Sequence, residues 1–63
     1  MPLIQVSLFE GRSLEQKRAF AEQLTRVATE TLACSPESVD IIFADIKASD
    51  WATAGRLHSD KPA

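Results

Sequence analysis

Val39-Asp-Ile-Ile-Phe-Ala-Asp-Ile46 is the stretch that decides how the rest of this 63-residue chain is read. Side chains alternate faces along an extended backbone, so the run Ile41-Ile42-Phe43 puts apolar groups on both. That pattern fits a strand covered on both sides, as the strands of parallel sheets are. Upstream, Leu3 to Phe9 reads as its partner. Ile4, Val6 and Leu8 share one face, while Gln5 and Ser7 lie on the other between Leu3 and Phe9. Pro2 lacks a ladder donor but is tolerated at the first position of a strand. Glu10 and Gly11 break the alternation, and Gly11 gives the turn its backbone freedom.

Between the two strands lies a helical pattern. Ser13 with Gln16 three residues on makes a capping box, each side chain satisfying a free backbone N–H of the other. Phe20, Leu24, Val27, Ala28 and Leu32 follow at helical spacing as one apolar stripe. Arg18, Glu22, Arg26 and Glu30 alternate in sign four residues apart, which reads as a solvated face rather than a recognition surface. The helix is expected to end near Ala33 or Cys34. Pro36 then suits the first position of a short capped turn over Ser35 to Glu37. Strand, helix and strand in this order predict an α/β (α+β) fold, a βαβ unit with parallel strands and a right-handed crossover. The remainder, Ser49 to Ala63, has room for a short hairpin around Trp51 and Gly55. Its end, from Ser59 to Ala63, reads as loose.

Size and charge limit what such a unit does. Residues 1–63 make one small domain, near the lower limit for burying a core alone. Seven basic and 9 acidic side chains give a formal charge of -2, against the basic surplus of a nucleic-acid binder. No apolar run approaches the roughly 20 residues of a membrane span. The N-terminus lacks the pattern of a secretory signal, and the single cysteine, Cys34, fits a reducing cytoplasm. One helix cannot cover both Ile42 and Phe43, and two strands leave two open edges. So small a core gives little stability by itself. A homo-oligomer is therefore expected, with the sheet continued across a dimer and its second face covered by other protomers.

The strand from Pro2, the Glu10-Gly11-Arg12-Ser13 turn, the Glu15-Gln16-Lys17 helix start, Ser38-Val39 before the second strand, and Trp51 ahead of Gly55 together resemble the 4-oxalocrotonate tautomerase family. The likeness covers nearly the whole chain in register. It implies dimers sharing a four-stranded sheet, assembled into a hexamer as a trimer of dimers. It also implies that Met1 is removed and that the nitrogen of Pro2 becomes a general base. That base moves a proton between the enol or dienol oxygen and a carbon of a small anionic unsaturated keto acid, with no metal and no organic cofactor.

Proline suits the role. Freed of Met1, Pro2 carries a rigid secondary amine, and an ordinary α-amino group titrates near pKa ~7.7–8.0. Apolar walls and a nearby arginine both disfavour its charged form, leaving a base poised for work near neutral pH. Without the resemblance, Pro2 reads as a strand opener. With Met1 attached its nitrogen is an amide and no base at all. Arg12 alone reads as an exposed turn residue; the resemblance makes it the planar fork that binds the substrate carboxylate. Trp51 matches a family aromatic, walling the pocket or packing an interface.

The departure is Asp40, where the best-known members carry a second arginine that polarises the substrate carbonyl. A carboxylate there repels an acidic substrate, which favours a monoacid such as an arylpyruvate enol over a dicarboxylate. Lys47 and Arg56 are the cations left to compensate, and each reads more readily as a surface or interface residue. His58 reads as a solvated tail residue, and no metal-ligand pattern is present. Two alternatives remain beside the tautomerase: a non-catalytic homo-oligomeric member of the fold, and a haloacrylate dehalogenase or hydratase with Pro2 protonated.

Overall fold

The computed structural model describes residues 1–60. Strand β1 (Leu3–Phe9) leads through a turn into helix α1 (Leu14–Leu32), and a single 3-10 turn (Pro36–Ser38) leads into β2 (Asp40–Ile46). A second 3-10 turn (Ala48–Asp50) precedes two short strands, β3 (Ala52–Thr53) and β4 (Arg56–Leu57), and a third turn (His58–Asp60) follows. β1 and β2 pair in parallel, in register from Leu3 opposite Asp40 to Phe9 opposite Ile46. The βαβ unit read from Ile41-Ile42-Phe43 is thus the fold, and β3 and β4 form the antiparallel hairpin. Ala54 and Gly55 at its tip both have positive φ, 53° and 79°, as tight hairpin turns require.

The helix begins where the sequence says it should. Ser13 Oγ accepts from the Gln16 N–H at 3.1 Å, and Gln16 Oε1 accepts from the Ser13 N–H at 2.9 Å. At the other end Ala33 takes the left-handed conformation, φ 53°, a position glycine usually fills. The following turn starts at Pro36 as expected but is not capped by the Ser35 side chain. Being three residues long, it is closed by the Ser35 carbonyl, which accepts from the N–H and, at 2.7 Å, the hydroxyl of Ser38. The expected loose tail also needs correction: Ser59 and Asp60 belong to the last 3-10 turn, and residues 61–63 lie outside the described part.

Packing shows how little core one chain has. Ile4, Val6 and Leu8 of β1 and Ile41 and Phe43 of β2 share the face covered by α1. Against them the helix sets Lys17, Ala21, Leu24, Thr25 and Ala28, spaced three and four apart. The expected stripe is therefore divided. Leu24 and Ala28 are covered and Phe20 meets Phe43 at a centroid distance of 6.2 Å, but Val27 (57%) and Leu32 (59%) stay exposed. The apolar arc is wider than a two-stranded sheet can cover. On the opposite face Ile42 is 51% exposed, and of the described residues only Ala28 is buried. Arg18, Glu22, Arg26 and Glu30 are all exposed. Among the described residues the ion pair formed is Lys17 with Asp45, 2.8 Å from helix to sheet.

Candidate active site

Pro2 lies directly ahead of β1 and is half-buried. Its carbonyl accepts the backbone N–H of Asp40 at 3.0 Å, which fixes the proline against the start of β2. Asp40 and Leu3 are cross-strand neighbours beside it, and both are exposed. The carboxylate that departs from the family pattern thus stands at the proline's own end of the sheet.

Arg12 lies past the other end. Seven strand residues at roughly 3.3 Å each separate them by about 23 Å, so a chain's Arg12 cannot reach its own Pro2. Gly11, φ 116°, turns the backbone there. Arg12 borders a groove of about 400 Å³ on the helix face, walled by Val6, Leu8, Phe20 and Phe43, with Gln16 and Lys17 at its side. Lys17 is held by Asp45, while Arg12 forms no ion pair among the described residues. Of the two cations lining the groove, Arg12 is the one without a carboxylate partner among the described residues.

Trp51 also lies away from its own Pro2. It stacks on Phe9, the last residue of β1, with ring centroids 4.4 Å apart and planes tilted by 33°. Phe9 points to the face opposite the helix, because it alternates with Leu8. Trp51 of a chain therefore does not reach that chain's own Pro2. The strand is too long, and the chain leaving β2 descends at the far end. Pro2, Arg12 and Trp51 therefore occupy one end of the sheet, the other end on the helix face, and the other end on the opposite face. Within one chain the three do not meet.

His58 is the residue that sequence reasoning missed. It is half-buried rather than solvated, with its ring 4.8 Å from Phe9 and 6.2 Å from Trp51 between centroids. Its backbone N–H donates to the Trp51 carbonyl at 2.9 Å, and its ring Nε2 lies 2.9 Å from Thr53 Oγ1. A hairpin centred on Ala54-Gly55 sets position 51 opposite position 58, so a firmer reading of that turn finds the pair. Cys34 is half-buried at the helix end, its Sγ 3.7 Å from the Ala28 carbonyl. Lys47 and Arg56 are exposed. Among the described residues no group of three or more His, Cys, Asp and Glu side chains is placed to hold a metal.

A parallel βαβ unit with a small hairpin, carrying a proline at the head of its first strand, defines a class of protein that the comparisons identify. The chain belongs to the tautomerase enzyme family, whose model matches residues 2–61. It is 42% identical over 62 residues to a probable tautomerase of Ralstonia nicotianae, an alignment covering 98% of this chain and 95% of the relative. The 2-hydroxymuconate tautomerase of Bacillus subtilis is 35% identical over 60 residues, 95% of this chain and 97% of the relative. A solved 4-oxalocrotonate tautomerase homologue superposes with a TM-score of 0.91 at 36% identity, over 100% of both chains.

Proposed function

We infer that the protein is a cofactor-free keto–enol tautomerase acting on a small anionic 2-oxo acid, with Pro2 as its base. The observation that carries this reading is the family match, which spans residues 2–61 and so includes Pro2. Once Met1 is removed, the Pro2 nitrogen takes the proton from the enol hydroxyl and delivers it to the adjacent alkene carbon. C–OH thus becomes C=O, C=C becomes C–C, and a C–H bond replaces the O–H bond. Arg12 of one neighbouring protomer binds the substrate carboxylate through paired N–H donors, and Trp51 of a neighbour walls the pocket and keeps water off the amine. The name of the Bacillus subtilis relative, a 2-hydroxymuconate tautomerase, supports the reaction type. Asp40 beside Pro2 disfavours a second carboxylate and directs the reading toward monoacids.

The site needs assembly. With one buried residue among those described, outward Val27 and Leu32, and Ile42 exposed on the second face, the protomer is stable only against copies of itself. A homohexamer built as a trimer of dimers from one domain, residues 1–63, meets that need, and the single free Cys34 fits a cytoplasmic setting.

The test is ketonisation of the phenylpyruvate enol, followed by its ultraviolet decay, for protein shown by intact mass to start at Pro2. Pro2→Ala is expected to lose at least a hundredfold in kcat/KM, the lower range for removing a general base. Equal rates for both proteins favour a second reading, supported by Asp40, in which this member keeps the assembly without the chemistry. Chloride release from 3-chloroacrylate would instead mark a dehalogenase.

A further inference from the structure

The chain has one histidine and one tryptophan, and the fold stacks both against the same phenylalanine. Phe9 and Trp51, 4.4 Å apart, stack the hairpin against the end of β1. His58 adds a third ring at 4.8 Å from Phe9, edge-on to Trp51 at 65°. Its backbone and its ring are each held once. The backbone N–H is held by the Trp51 carbonyl and Nε2 by Thr53 Oγ1. No carboxylate forms an ion pair with it among the described residues, so the imidazole is held there by ring contacts and a hydroxyl. The result is a wall of three rings at the far end of β1, Phe9 still 40% exposed within it. Aromatic walls favour planar π-systems through edge and offset stacking beyond what area alone supplies.

We propose that His58 is a specificity-determining residue: with Phe9 and Trp51 it forms a three-ring wall that selects monoanionic 2-oxo acids bearing a planar aromatic or conjugated side group. This rests on the reading of Trp51 as a wall of the substrate pocket. Thr53 Oγ1, 2.9 Å from Nε2, is the hydroxyl that contacts the ring.

Calorimetric titration of the assembled, mature protein with cinnamate and with 3-cyclohexylpropionate tests this without turnover, since both are monoacids of similar size and one is planar. The wild type is expected to bind cinnamate about tenfold tighter than the saturated acid. His58→Ala is expected to lose most of that ratio and His58→Phe to keep it, with sedimentation showing an unchanged assembly. A ratio equal in wild type and His58→Ala, or equal weakening for both acids, overturns the proposal. Should His58→Ala not assemble, His58→Gln decides: it reaches Thr53 but has no ring, and a retained ratio there also overturns the proposal. A His58-dependent ratio in a protein that fails to ketonise the phenylpyruvate enol leaves the wall standing and removes the tautomerase reading. Turnover with no such ratio does the reverse.

Discussion

Asp40 gives its backbone N–H to Pro2, so its carboxylate is held at the same sheet end as the proline ring. Like charges brought close in partly dry surroundings cost far more than in water. We therefore expect Asp40→Arg to raise kcat/KM for a 2-hydroxydienedioate relative to a monoacid enol by about tenfold, close to 1.4 kcal/mol. Steady-state rates on both substrates read this, and an unchanged ratio places Asp40 outside the pocket. Arg12 is argued from the same chemistry. Truncation to alanine removes a bidentate donor, and kcat/KM for acidic substrates is expected to fall at least tenfold. Arg12→Lys should recover only part of it, because a point charge does not reproduce the planar fork. Retention of full activity by Arg12→Ala would exclude the residue from the site.

Helix α1 is fixed at both ends by local chemistry of opposite quality. Its start has a complete capping box, and Ser13→Ala is expected to cost about 1 kcal/mol. Its end has Ala33 at φ 53°, where a Cβ is strained and glycine is not. Ala33→Gly should therefore stabilise the fold by a few tenths to about 1 kcal/mol, the strain relief outweighing the added freedom of the unfolded chain. Urea midpoints at fixed protomer concentration check both, since assembly makes stability depend on concentration. A destabilised Ala33→Gly would mean that the left-handed turn is not strained. The Lys17–Asp45 bridge between helix and sheet is 2.8 Å long but partly exposed on both sides. Surface pairs of this kind contribute at most about 1 kcal/mol, so it orients the helix start more than it holds it.

The whole molecule is a half-finished object when taken as one chain. Among the described residues the two long strands leave both outer edges unpaired, and the helix leaves Val27 and Leu32 facing outward. Val27→Glu is expected to dissociate the proposed assembly, because Val27 there becomes part of an apolar interface in which a charge is costly. Sedimentation should then show small species, and circular dichroism a loss of helix at micromolar concentration. An intact assembly of the Val27→Glu protein would show that this flank of α1 faces solvent. Dilution of the unaltered protein gives the complementary reading: activity should fall with concentration faster than linearly. In the proposed site Arg12 and Trp51 come from chains other than the one that supplies Pro2, so a lone protomer has no complete site.

Period and punctuation made the strands, the helix and the capping box legible, because those features depend on neighbours within four residues along the chain. Ile41-Ile42-Phe43 announced a parallel strand, and Ser13 with Gln16 announced the helix start. Pro2, Arg12 and Trp51 could be chosen as candidates from the family pattern they share. Where they stand could not be read that way, since a strand of fixed rise per residue separates Pro2 from the other two and the pleat sends Phe9, with Trp51, to the face away from Arg12. Tertiary structure alone decided that the apolar stripe of α1 is split, that the candidates lie at opposite ends of the sheet, and that His58 is stacked on Phe9 rather than solvated. Each of these turns on contacts between segments distant in sequence, and no local pattern encodes a distance across space.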